Sequence, residues 1–155
     1  MAITQAMCTS FKQEVMLSMH NFHPTGTSAA STFKLALYSS GATLNASTTG
    51  FVTAGECVGT NYVATGSALT VVGVTSGSTS GFVDFGDLTF LNVTLTSDGA
   101  LIYNNTPFTS NNAGTTLTNA AVAVLDFGGA KTSTAGDFTI VFPAATSAAA
   151  IIRIA

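Results

Sequence analysis

The sequence predicts a mainly β protein, a single-domain antiparallel β-sandwich or jelly-roll-like fold with one N-terminal α-helix. The first observation is that large apolar residues alternate with other residues over 33–38, the period-2 pattern of a half-buried strand. The second is that later segments rich in Val, Ile, Phe and Thr are separated by clusters of Gly, Asn, Ser and Asp. The third is the length of 155 residues, which suits one domain. We therefore expect a single domain over 1–155, with a helical segment at 1–22 and the sandwich at 32–155.

The helix is predicted over residues 5–19. Met7, Phe11 and Val15 recur at positions i, i+4 and i+8, so they share one face of a helix. Thr4 precedes them as a suitable N-cap residue. An apolar face of this kind predicts that the helix packs either on its own sandwich or against another subunit.

The strands are predicted wherever β-branched and aromatic residues cluster between turn residues. They cover residues 33–38, 67–74, 81–85, 88–96, 100–104, 120–127, 137–142 and 149–154. Asp98-Gly99 lies between two of these segments and predicts a tight hairpin there.

Two further features concern the connections between strands. The triplet Asp-Phe-Gly occurs at 84–86 and again at 126–128, where it predicts two similar exits from a strand into a turn. Residues 39–59 and 104–119 are predicted to be long loops, and loops of this length more often make contacts than merely connect strands.

The composition indicates a protein that works in an assembly. Charged residues make up 7% of the chain, against about 25% in ordinary soluble domains, and the mean hydropathy is +0.47. So few charges give little repulsion between copies, which predicts a surface that faces other subunits. Apolar runs stay far below the roughly 20 residues that span a bilayer, so no membrane partner is expected. The four basic residues are too few and too scattered to neutralise a nucleic-acid backbone.

Cys57 is the one residue whose surroundings suggest a catalytic nucleophile. The segment Gly55 to Gly59 has the spacing of a nucleophile elbow, with Cys in place of Ser. That motif needs a strand–turn–helix unit in an α/β sheet, and the sequence shows no alternation of strands and helices here. An ordinary loop cysteine is therefore favoured, and no catalytic residue is assigned. Whether Cys8 and Cys57 form a disulfide is left open by their spacing.

His20 and His23 form a short pair near Glu14 and Cys8. A zinc site needs three or four such ligands, and one pair is not enough to predict it. Histidines also suit the C-terminal carbonyl groups of a helix without any metal. We predict neither a metal site nor a cofactor.

A set of segments spread over the chain carries a resemblance to a known family. These segments are Phe11–Glu14, Phe33–Tyr38, Gly99–Asn104, Ala121–Gly128, Lys131–Ile140 and Ile151–Ile154. Over nearly all of its length the chain resembles the small virion structural proteins of tailed bacteriophages. The matching segments are packing and turn motifs without catalytic chemistry. The resemblance implies a structural role, and among such roles we favour a capsid cement or decoration protein.

That role implies the following expectations. The protein would be made in the cytoplasm of the host bacterium and would lie on the capsid surface of the virion. Its partners would be the major capsid protein and further copies of itself, arranged as a homotrimer. The alternatives are a tail-, neck- or fibre-associated structural or receptor-binding protein, and, in a different class, a hydrolase that depends on Cys57.

The chain termini supply the apolar side chains expected at the interface. Met and aromatic side chains adapt well to partner surfaces, and the last predicted strand stays apolar to its end. The predicted interface residues are Met7, Phe11, Met16, Met19, Ile151, Ile152 and Ile154. For both sets the alternative is burial within the subunit, as a helix packed on its own sandwich and a last strand inside the sheet.

Overall fold

A computed structural model describes residues 2–23, 30–109 and 116–155 of the chain. The protein is mainly β, with antiparallel sheets and a short helix near the N-terminus. In chain order the elements are β1 Ala6–Met7, α1 Thr9–Met16, β2 Phe33–Tyr38, β3 Ser67–Leu69, β4 Val71–Gly77, β5 Ser80–Phe85, β6 Leu88–Asn104, β7 Phe108–Thr109, β8 Thr116–Leu117, β9 Ala120–Ile140 and β10 Ile152–Ile154.

The strands form two main sheets that pack face to face. A five-stranded sheet has the order β1-β9-β6-β2-β3, and a three-stranded sheet has the order β10-β5-β4. A separate two-stranded pair joins β7 to β8. Side chains of β5 and β10, among them Phe85 and Ile152, share one buried core with those of β2 and β6. The predicted β-sandwich with one helix is confirmed.

A row of contacting aromatic rings joins the two sheets. Phe22 lies parallel to Phe33 of β2, with ring centroids 4.3 Å apart and planes 5° from parallel. Phe33 contacts Phe85 of β5 at 5.7 Å, and Phe85 contacts Phe142 at 5.9 Å. Burying one such ring contributes roughly 1.5–3 kcal/mol. The row therefore ties the segment after α1 and the segment after β9 to both sheets.

The helix is shorter than predicted. It covers Thr9–Met16 instead of 5–19, because residues 6 and 7 form β1 against the edge of β9. Pairing with a neighbouring strand therefore overrides the local helical spacing. The helix ends before Ser18, whose φ of 58° lies in the left-handed region. No helix in the described ranges is long and apolar enough to cross a membrane.

The hairpin predicted at Asp98-Gly99 is wrong, because β6 runs without interruption from Leu88 to Asn104. Gly99 pairs with Tyr38 on one side and with Asp126 on the other. A Cβ atom at Gly99 would lie 2.8 Å from Cγ2 of Ile3 and would also overlap a backbone carbonyl of β9. The glycine therefore permits close packing inside a sheet and does not form a turn.

Other predicted strands join or divide. The segments predicted at 120–127 and 137–142 are both parts of β9, and the segment predicted at 67–74 is divided between β3 and β4. The segment predicted at 149–154 is shortened to β10. Residues 39–59 contain no named strand. The second predicted loop, 104–119, contains β7 and β8, and its residues 110–115 lie outside the described residues.

The two Asp-Phe-Gly triplets behave differently. At 84–86 the triplet marks the end of β5, as predicted. At 126–128 it lies inside β9, where Oδ1 of Asp126 accepts a hydrogen bond from the backbone N–H of Gly128 at 2.8 Å. Gly128 and Gly129 have φ values of 67° and 121°, so the strand bends there and then continues.

We predict that Gly99→Ala destabilises the protein by about 1–3 kcal/mol, because the added methyl group has no space between β9 and Ile3. Urea denaturation followed by circular dichroism measures this loss. The matched control is Gly81→Ala in β5, where a Cβ atom would meet nothing within 4 Å. Equal stability of the two variants would contradict the close packing at Gly99.

Candidate docking surface

A groove of about 340 Å³ lies between α1 and β10, and we call it the helix–strand groove. Its lining comes from two segments that are far apart in the sequence, one before residue 17 and one after residue 152. The lining residues are Met7, Phe11, Lys12, Val15, Met16, Arg153, Ile154 and Ala155. Most of them are apolar, so the groove has the chemistry of a contact surface.

The floor and the rim of the groove differ in exposure. Phe11 is fully buried and belongs to the core, while Met7 and Val15 are half-buried and pack against it. At the rim, Met16 is 79% exposed and Ile154 is 59% exposed. Large apolar side chains that lie together in contact with water are typical of a binding surface.

The structure brings together four of the predicted interface residues and separates the other three. Met7, Phe11, Met16 and Ile154 line the groove. The other three pack within the subunit: Met19 and Ile152 are buried, and Ile151 is half-buried against the core. Ile152 and Ile154 both pair with β5, opposite Val83 and Gly81. Ile152 is buried in the core, whereas Ile154 is exposed and lines the groove beside α1.

The groove also carries positive charge. Lys12 and Arg153 line it, and they are two of the four basic residues in the chain. Nη1 of Arg153 donates a hydrogen bond to the carbonyl of Ser147 at 2.9 Å, which holds the side chain near β10. An apolar groove between two cations fits a partner surface that combines apolar side chains with carboxylates.

A buried hydrogen-bond network holds α1 in position. Nε2 of His20 lies 2.7 Å from Oε2 of Glu14, which is buried on the helix. Nδ2 of Asn104 in β6 lies 2.9 Å from Nδ1 of His20, and Oδ1 of Asn104 accepts from the backbone N–H of Thr106 at 3.0 Å. The bond to Thr106 orients the amide, so Asn104 donates to Nδ1 and the imidazole proton lies on Nε2. The helix is thereby linked to the five-stranded sheet.

The same network bears on metal binding. Both ring nitrogens of His20 have protein partners, so neither has a lone pair for a metal ion. No group of three or more His, Cys, Asp or Glu side chains suited to hold a metal occurs within residues 2–23, 30–109 and 116–155. Sequence reasoning placed Glu14 only as a neighbour of the histidine pair and missed Asn104, because the contact from His20 to Asn104 joins residues 84 positions apart.

Cys57 is a buried free thiol, as is Cys8. Its Sγ donates to the carbonyl of Thr96 at 3.2 Å, and burial raises the pKa of the thiol to about 11. The reactive thiolate is therefore scarce at neutral pH. Both flanking positions require glycine for structural reasons. Gly55 has a φ of 80°, in the left-handed region, and a Cβ atom there would also overlap Ala42. A Cβ atom at Gly59 would overlap the backbone of β6. The elbow-like spacing thus follows from close packing.

The His20 network predicts a specific dependence of stability on pH. Burial lowers the pKa of His20 from its ordinary value of 6.5, although hydrogen bonding and charge from Glu14 oppose the shift. The unfolded chain takes up a proton near pH 6.5 and the folded chain does so only at lower pH. The stability that neutral His20 contributes is therefore fully present above about pH 6.5, the pKa of the unfolded chain. It is lost as the pH falls from there through the lowered pKa of the folded chain, with a slope of up to about 1.4 kcal/mol per pH unit.

We expect His20→Gln to remove this part of the slope, because glutamine can still donate to Glu14 but does not titrate. Urea unfolding of both proteins between pH 7.5 and pH 5 measures the difference. An unchanged slope in His20→Gln would show that His20 does not contribute to the pH dependence.

No family model, no curated protein and no solved structure matches the chain. The features of the chain that bear on function are therefore the helix–strand groove, the rest of the surface and the residues around them.

Proposed function

We propose that this chain is a non-enzymatic structural protein of a phage virion, and specifically a capsid cement protein. It binds the outside of the shell and bridges subunits of the major capsid protein. The observation that carries the proposal is the helix–strand groove, an exposed apolar surface with two cations on a chain that is otherwise poor in charge. The groove alone does not indicate which assembly the chain joins, and the resemblance to virion proteins of tailed phages is the reason for proposing a phage particle.

The groove supports docking through ordinary contact energies. Met16 and Ile154 are exposed in the isolated chain and would be buried against a partner. Each large apolar side chain buried in this way contributes roughly 1.5–3 kcal/mol. Lys12 and Arg153 would orient the partner by pairing with carboxylates at the rim. Binding to the assembled shell stabilises it by mass action, without any reaction.

A bridging role needs a second contact surface, and the long strands offer one. Thr89 of β6 and Thr139 of β9 are hydrogen-bonded across the strands at 2.9 Å, on an exposed face. Leu91 follows Thr89 by two residues and Val141 follows Thr139 by two residues, so both lie on the same side as the threonines, and both are exposed. The exposed carboxylate of Asp137 lies two residues before Thr139 on the same face. The threonine hydroxyls and the apolar side chains beside it can make hydrogen bonds and small apolar contacts with a neighbour. Several weak contacts together hold a subunit on a lattice more tightly than one of them alone.

A receptor-binding protein of the tail or fibre is the second candidate, and one surface favours it. A shallow depression of about 390 Å³ is lined by hydroxyl and amide side chains and by the ring of Phe51; its residues run from Thr43 to Val52. The Phe51 ring packs on Tyr103 with centroids 5.1 Å apart. Hydroxyl groups, amides and an aromatic face are the partners that a glycan needs.

The copy number of the chain in purified virions tests the proposal. We expect a number of the same order as that of the major capsid protein, measured by quantitative mass spectrometry with labelled peptides. A handful of copies per particle would favour the tail or fibre candidate. Absence from the particle would overturn both structural candidates.

Variants of the groove test its role in docking. Met16→Lys and Ile154→Lys each place a charge on the apolar rim, and we expect each to weaken binding to shells that lack the protein by at least tenfold. The matched control is Val58→Lys, because Val58 is 95% exposed and lies outside the groove. Co-sedimentation with the shells measures binding, and circular dichroism verifies the fold. Equal binding by all three variants would exclude the groove as the docking surface.

A further inference from the structure

The edge strand β4 has an unpaired outer side. In the order β10-β5-β4 it pairs only with β5, and no strand or isolated bridge of the described residues joins it from outside. An edge strand of this kind presents free backbone N–H and C=O groups to another strand. Beyond an irregularity between Val71 and Gly73, the ladder with β5 is regular from Val74 to Gly77.

The side chains of β4 extend the apolar core past the edge of the sheet. Val74 lies directly opposite Val83, whose side chain belongs to the core, so the two share one face. Val83 is buried, but Val74 is 54% exposed because no strand covers it on the outer side. Val72 is exposed as well.

Of the features that usually protect an edge strand, β4 has only the irregularity between Val71 and Gly73. Natural edges carry charges, proline or bulges that prevent pairing with another chain. Residues 70–83 contain no charged residue and no proline. By contrast, β10 carries Arg153, and the outer part of β9 carries Lys131 and Asp137 with a left-handed Ala135 between them. The remaining described edges of the two main sheets, β1 and β3, are two and three residues long.

We propose that β4 pairs with the β4 strand of a second copy of this chain, antiparallel and about a two-fold axis. The three-stranded sheet would then continue through both subunits. The charge pattern favours a second copy as the occupant. Self-pairing sets a strand against itself, so a charge near the axis would face the same charge of the other copy. β4 avoids that repulsion because it is uncharged, and the pairing covers Val74 with the apolar side chains of its partner.

The dimer should be weak in dilute solution. One strand pair buries less than the roughly 1,200–2,000 Å² of a stable interface. We therefore expect a monomer–dimer equilibrium that shifts to dimer at protein concentrations of about 100 µM and above. The inference is independent of the phage role, since it depends only on β4, and it proposes a two-fold dimer in place of the homotrimer that the resemblance implied.

A concentration series with charge-swapped variants tests the proposal. We expect sedimentation equilibrium up to about 500 µM to show a dimer for the natural chain. Val74→Lys and Val74→Glu should each weaken the dimer at least tenfold, because each sets like charges against each other. An equal mixture of the two variants should restore dimers, which a merely misfolded variant could not do. Val58→Lys is the matched control and should dimerise like the natural chain.

Hydrogen exchange locates the contact. Backbone amides of residues 71–77 should gain protection as the concentration rises, while those of β10 should not. A monomer at every concentration, a trimer, or a dimer with protection elsewhere would overturn the proposal. Protection of β4 only within the particle would also overturn it and would assign this edge to a strand of another protein.

Discussion

The antiparallel pairing of β6 with β9 is the interaction on which the rest of the structure depends. It joins residues 88–104 to residues 120–140, and β2 and β1 add to its two sides. Near Gly99 the backbones lie so close that no side chain fits between them. Buried strands must pair their backbone groups, because an unpaired buried N–H or C=O costs about as much as a lost hydrogen bond. The central ladder satisfies this requirement for the most deeply buried residues of the chain.

The helix–strand groove forms because its two walls are held by different sheets. β1 pairs with β9, and the N–H of Cys8 donates to the carbonyl of Val122 at 3.0 Å, so α1 begins at a defined place on the sheet. The contact of His20 with Glu14 and Asn104 then connects the other end of α1 to β6. β10 is held separately, by β5 of the three-stranded sheet. The groove is the space where the element held by one sheet approaches the element held by the other.

The order of the three-stranded sheet relates the two proposed contacts. β10 forms one wall of the groove, and β4 is the opposite edge of the same sheet. A subunit could therefore dock through the groove and pair through β4 at the same time, without competition between the partners. Both contacts are compatible with a surface that has few charges, since neither requires the desolvation of many ionised groups. Weak contacts in two directions are what a lattice-bound protein requires.

The sequence by itself determined the fold class, the position of β2 and β5, and the poverty in charge, because these depend on local alternation and on composition. Only the tertiary structure decided that Asp98-Gly99 continues a strand, since its turn preference is weaker than pairing on both sides with β2 and β9. It also decided that Met7 lies in a strand and that Met16 meets Ile154 in one groove. Local patterns do not encode these contacts, because their free energy comes from segments that lie far apart along the chain.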